Sequence, residues 1–258
     1  MIRRKLTRSK LLVLLRGIHS GAGADASLYV PPGTPDSDLE KLLRAGSISE
    51  EVLPEICSAI GRSRTGGVLF SRAASELLVL PPFEITERLF CSGLQSDPLI
   101  SLMERDRVSG LILVRLGAYA VGVFSGEKLL SSKVGTGHIH ARHRKGGSSQ
   151  RRFERGRDKD IEQFFIRVCG HVRERLEPYI QQLEHLSYGG ERYTVLAFRK
   201  QCDFVKAFDD RTRPALLNVR EPRQATLEAA IAEVYSSEVL EWKLDEAAGN
   251  DGVTTIST

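Results

Sequence analysis

Between Gly110 and Leu176 the hydrophobic pattern changes period once, and that change restricts the fold more than any other feature of the chain. Leu111 to Leu116, apolar except for Arg115, is by composition a buried strand. Ala118 to Phe124 and Lys128 to Val134 follow, set apart by turn signals at Gly117 and at Ser125–Gly126. Strands joined this tightly form a meander. Further on, Ile161, Phe164, Phe165, Val168, Val172 and Leu176 recur every three or four positions. That is the apolar stripe of one long helix, and it stops before Pro178. A meander followed by a long one-faced helix buries both apolar surfaces when the helix lies on the sheet.

The rest of the chain is consistent with an α/β (α+β) protein of two domains. Leu6, Leu11, Leu14, Leu15 and Ile18 fit a short amphipathic helix, and the five-residue apolar run ending at Arg16 is short for a signal peptide. "SLYVPPG" reads as a strand stopped by two prolines. "DSDLEKLLRAG" and "SEEVLPEICSAIGR" read as helices, with Pro54 tolerable in a first turn or as a kink. "TGGVLFSR" and "SELLVLPPF" read as a hairpin, and "DPLISLMERD" as a short helix near the domain boundary. Past Pro178 the pattern predicts helix over "YIQQLEHL", strand over "RYTVLAFR", a short helix over "CDFVKAFDD", a last strand at "ALLNVR", and a final helix through "EVLEW". The expected division is therefore a small N-terminal α/β domain over 1–97, a mixed-sheet domain over 98–240 and a tail over 241–258.

Charge is concentrated. The chain of 258 residues carries a formal net charge of +4. From His138 to Lys159 there are eight Lys/Arg against two acids, so that segment is +6 and the remainder −2. A basic island on a near-neutral body is an electrostatic footprint for phosphates rather than a solvated helix face. Cys57, Cys91, Cys169 and Cys202 show no C-x-x-C spacing, which argues against a zinc ribbon or a disulfide framework and for a reduced, cytoplasmic setting. No stretch approaches the roughly 18 apolar residues that span a bilayer.

The island reads "RHRKGGSSQRRFERGRDK", Arg142 to Lys159. Gly146–Gly147 lets the backbone turn tightly and enter a narrow cavity. Flanking Arg142, Arg144, Lys145, Arg151, Arg152, Arg155 and Arg157 suit RNA phosphates. Gln150 offers an amide that both donates and accepts, enough to place a water against a reactive ester.

"KGGSSQRRFER" resembles the GGQ loop of the eukaryotic and archaeal class I peptide chain release factors, with Lys145, Gly146, Gly147, Phe153 and Arg155 on matching positions and a long helix following. "SLYVPPG", "GGVLF" and "GLILVRLGAYAVGVFSG" are similar to further strands of that family, so the resemblance covers about residues 26 to 236. It implies an RNase H-like central sheet and hydrolysis of the ester that joins peptide to tRNA, with no metal or organic cofactor. The altered glycine-glutamine string looks like the divergent Vms-like branch. Two positions compete for the glutamine's role: Gln150, and Ser148, which follows the glycines directly. The stop-codon-reading stretches of the family are missing, and the sequence ends near where its partner-binding domain would begin. The implied activity is therefore stop-codon-independent rescue of stalled complexes. The implied partners are the large ribosomal subunit at its peptidyl-transferase centre and peptidyl-tRNA, with the protein a monomer. A tRNA 3′-end endonuclease and a catalytically silent ribosome-binding factor are the alternatives. Three other readings carry less: zinc on His138, His140 and His143; a serine nucleophile at Ser148 or Ser149; and a nuclease carboxylate set of Asp203, Asp209 and Asp210.

Overall fold

The computed structural model describes residues 1–19, 25–46, 48–72, 74–140 and 150–244, with only the backbone course given for 150–153. These residues form an α+β protein that divides into two compact units, Met1–Glu104 with the segment from Ser236, and Arg105–Tyr235.

The first unit is built on strands β1 (Ile2–Leu6), β2 (Ala26–Val30), β3 (Gly67–Arg72), β4 (Ser75–Leu80) and β5 (Leu89–Ser92). They share an antiparallel sheet with β10 (Ser237–Lys243), in the order β1-β10-β4-β3-β2-β5. Register puts Leu28, Leu69, Leu78 and Leu240 in one row across four strands. Residues one step along, Tyr29, Val68, Val79 and Val239, form a second row that points to the other face, because side chains alternate along a strand. Both rows are buried, so the central strands are covered on both sides. Helices α2 (Asp36–Ala45) and α3 (Leu53–Arg62) close the first face with Leu39, Leu43, Ile56 and Ile60. Pro54 sits in the first turn of α3, where its missing N–H costs nothing. Helix α1 (Arg8–Arg16) buries Leu11 and Leu15, and Arg8 donates to the carbonyls of Met103 (2.8 Å) and Glu104 (2.6 Å) at the end of α4 (Asp97–Glu104).

In the second unit β6 (Val108–Arg115), β7 (Ala118–Ser125) and β8 (Lys128–Thr136) make the expected meander. Helix α5 (Gln150–Leu176) lays Phe164, Phe165, Val168, Val172 and Leu176 over Ile112, Val114, Tyr119, Val121 and Val123. The chain then returns as β9 (Leu183–Gly190), parallel to β6, which makes the sheet mixed in the order β8-β7-β6-β9. Helices α6 (Arg192–Gln201) and α7 (Asp203–Lys206) add Val195, Phe198 and Val205 to the same core. Helix α8 (Gln224–Val234) lies on the opposite face, where a Cβ at Gly122 would stand 2.6 Å from Leu227.

Several expectations are corrected. "RYTVLAFR" is helix α6, not a strand. Thr194, Val195 and Phe198 are buried at helical spacing, and the Glu191 carboxylate caps the start by accepting from the N–H groups of Tyr193 (3.1 Å) and Thr194 (2.9 Å). The helix expected over "YIQQLEHL" gives way to β9, and "ALLNVR" contributes only an isolated bridge, Leu217 to Gly189. The final helix stops at Val234, and "SEVLEWK" crosses into the first unit as β10. The boundary expected after residue 97 and the tail from 241 change accordingly: α4 belongs to the first unit, residues 241–243 are strand, and 245–258 lie outside the described residues. The basic "IRRKL" segment is strand β1, which pairs with β10 at the sheet edge although its composition carries no strand signal. Cys169 and Cys202 form a disulfide, contrary to the expectation of unpaired thiols. Packing of α5 on α6 brings their Cα atoms to 5.5 Å, a proximity no spacing motif records. Cys57 and Cys91 are free.

Candidate functional site

The basic island begins after β8 and runs into the first turns of α5, and the chain that leads up to it is defined as far as His140. Beyond Thr136 the chain runs along α5 toward that helix's N-terminus. Gly137 donates to the carbonyl of Gly117 (2.9 Å) and passes so near α5 that an added Cβ would meet Phe164 at 2.6 Å and Arg167 at 3.0 Å. One step earlier on the same face, a Cβ at Gly135 would meet the Tyr119 hydroxyl at 2.4 Å. Tyr119 itself stacks on His171 of α5 with ring centroids 5.6 Å apart. At Gly137 a side chain would collide with α5, and at Gly135 with the Tyr119 ring of β7.

Three residues further, His140 is gripped by α5. Its ring Nδ1 lies 2.5 Å from the Asp160 carboxylate, and its backbone N–H donates to the same oxygen at 3.2 Å. Its carbonyl accepts from Arg157 Nε at 3.2 Å. Arg157 and Asp160 are three residues apart and so share one face of the helix. The His140 contact holds the Asp160 carboxyl below its ordinary pKa. His138 packs edge-on against the His140 ring, centroids 5.0 Å apart.

Of the residues expected to act, Arg142, Arg144, Lys145, Gly146, Gly147 and Ser148 lie outside the described residues. Gln150 is the first residue of α5, and Arg151 and Arg152 follow in its first turn. Arg155 is exposed on the next turn. Arg157 is half-buried and engaged at the loop root. His140 and Asp160 carry the local geometry, yet nothing in the sequence pairs positions 20 apart; a histidine beside a glycine-terminated strand was the only signal.

Of the competing readings, those on His143, Ser148 and Ser149 fall on residues outside the described ones, while the aspartate set is fully described. Among the described residues no group of three His, Cys, Asp or Glu side chains is placed to hold a metal ion. Asp203 faces Lys206 (2.6 Å), Asp209 faces Arg199 (2.6 Å) and Asp210 faces Arg211 (3.7 Å), so each carboxylate is matched with its own cation. Gly189 and Gly190 end β9: a Cβ on Gly190, at φ 124°, would stand 2.1 Å from the Val114 carbonyl oxygen. No helix among the described residues is long and apolar enough to cross a membrane.

The family model of the Actinobacteria/Chloroflexi VLRF1 release factors matches residues 107–240, just over half the chain. The chain belongs to this family. The match runs from the residue before β6 into β10 and so includes the basic island and the whole of α5. Among curated proteins, peptide chain release factor subunit 1 of Aeropyrum pernix is 28% identical over 203 residues, which cover 67% of this chain and 53% of that protein. The VLRF1-family chain spans about half the length of the curated relatives it matches. Among solved structures, the archaeal translation termination factor aRF1 aligns with a TM-score of 0.38 at 22% identity, covering 88% of this chain and 71% of its own. The Vms1 mitochondrial localization core aligns with a TM-score of 0.42 at 13% identity, covering 87% and 92%.

Proposed function

We propose that this protein is a ribosome-associated peptidyl-tRNA hydrolase that frees nascent chains from stalled complexes without reading a stop codon. The family match across residues 107–240 carries the reading, because it brackets the basic island from the strand before it to the helix after it. The chemistry is attack of water on the ester carbonyl of peptidyl-tRNA. The bond to the 3′ oxygen breaks, the peptide leaves as a carboxylate and the tRNA regains its hydroxyl. Gln150, at the head of α5, would orient the water through its amide. Gly146 and Gly147 would let the backbone reach the ester, with Ser148 beside them. Arg142, Arg144, Lys145, Arg151, Arg152 and Arg155 would neutralise RNA phosphates. The peptidyl-transferase centre of the large subunit is the expected place of action, and no cofactor is invoked.

The test is peptide release from large-subunit–peptidyl-tRNA complexes. Gln150→Ala is expected to slow release by roughly 100-fold or more, the scale set by losing correct placement of a reactant, with binding retained. Ser148→Ala is expected to leave release near the parent rate. Equal release by Gln150→Ala and parent would move the role away from Gln150. Binding without release by the parent would mark a silent factor, and a tRNA product shortened at its 3′ end would mark an endonuclease.

A further inference from the structure

We propose that Asp160 is the positioning residue of the basic loop, holding His140 against helix α5 so that the loop starts from a fixed point. The proposal rests on the hydrolase reading above and adds to it the means by which the fold aims the loop. Its basis is the contact pattern at the root. Between Gly135 and His140 the chain touches the body of the unit at three successive levels: Tyr119 beside Gly135, Phe164 and Arg167 beside Gly137, and Asp160 with Arg157 at His140. The first two are packing contacts that leave no room for a Cβ. At the third, one carboxylate takes both the ring nitrogen and the backbone N–H of a single residue, and an arginine one helical turn away takes its carbonyl. Every polar handle of the His140 backbone is therefore held by α5.

That grip is too exposed to serve the stability of the fold. The His140 side chain is 63% accessible, and a polar contact with one partner so open to water contributes little to folding. Its geometric consequence is large. His140 is the last residue before 141–149, and Gln150 opens the helix that holds it. The ascending root is thus fixed to the same rigid rod that carries the glutamine. At 1.5 Å rise per residue, Asp160 lies about 15 Å down the helix axis from Gln150. His140 and Gln150 therefore share one frame, and reaction rates are sensitive to misplacement of about 1 Å.

The experiment compares Asp160→Ala, Asp160→Asn, His140→Ala and the double variant Asp160→Ala/His140→Ala with the parent chain. Single-turnover release is read at saturating factor, together with binding to the large-subunit–peptidyl-tRNA complex and the thermal midpoint. Asp160→Ala is expected to lower the release rate on the order of tenfold, with half-saturation and thermal midpoint unchanged. Asp160→Asn, which keeps an acceptor oxygen, is expected to fall between Ala and the parent. The double variant should be no slower than the slower single one, because both act through one contact. A parent-like rate in Asp160→Ala, a rate loss that follows a loss of binding, or multiplying effects in the double variant would each overturn the proposal. Limited trypsin digestion of the free protein supplies a readout that needs no hydrolase activity. Cleavage after Arg142, Arg144 and Lys145 should accelerate in Asp160→Ala and His140→Ala. If the parent proves inactive, the functional reading fails and this comparison still decides the clamp, since unchanged cleavage would refute it.

Discussion

Gly137→Ala would force a methyl group to within 2.6 Å of the Phe164 ring, and overpacking of that kind costs about 1–3 kcal/mol. Urea unfolding of this variant is expected to show that loss, and its release rate is expected to fall because the arm leaves α5. Glu76 is a different case. It is 1% exposed on β4, with one carboxylate oxygen accepting from Ser71 Oγ (2.9 Å), and burial pushes its pKa up to about 7. Between an unfolded value near 4.5 and that folded value, the native state holds more protons than the unfolded chain. Stability from this group is therefore complete below pH 4.5 and is lost as pH rises through 7. Glu76→Gln is expected to flatten that dependence, removing a change on the order of 2 kcal/mol in denaturant titrations at the two ends of the window.

At the scale of elements, ends decide more than middles. Helix α6 begins on the Glu191 carboxylate, which accepts from the Thr194 hydroxyl and from the backbone N–H groups of Thr194 and Tyr193, and these bonds hold its carboxyl below the ordinary glutamate value. Glu191→Ala is expected to cost about 1 kcal/mol, the usual worth of an N-cap, measurable as a shift in the denaturation midpoint. Strand β9 carries His185, whose pKa falls to about 4 through burial and the nearby Arg213, Arg107 and Arg105. Here the native state holds fewer protons than the unfolded chain between 6.5 and 4, so stability is present above pH 6.5 and is lost as pH falls toward 4. That trend is opposite to the one from Glu76. Hydrogen exchange resolved by element should show β3 and β4 amides losing protection as pH rises and β6 and β9 amides losing it as pH falls. Parallel trends in both sets would refute the assignment of the two groups.

For the whole molecule, the telling feature is that the last strand returns to the first unit. Strand β10 lies between β1 and β4, with Val239, Leu240 and Trp242 buried and Trp242 Nε1 donating to Glu55 at 2.7 Å. Ending the chain at Tyr235 is expected to unfold the first unit, since each lost core side chain forfeits about 1.5–3 kcal/mol; far-UV dichroism and exchange at β3 and β4 would register it. The sequence alone determined the meander, the stripe of α5, the β3–β4 hairpin and the basic island, because each is written in periods of two to four residues or in local charge. It also carried the family likeness, since the "KGG" and "RF" residues lie together within Lys145–Phe153, where a short string can be read. Residue type misled where partners are distant. "RYTVLAFR" has the β-branched content of a strand, yet a carboxylate at Glu191 and a buried stripe make it a helix. "SEVLEWK" continues a helical sequence, yet open pairing edges on β1 and β4 make it a strand. The disulfide and the His140–Asp160 grip were decided by tertiary structure alone, because each joins groups 33 and 20 positions apart whose only common cause is the packing of α5.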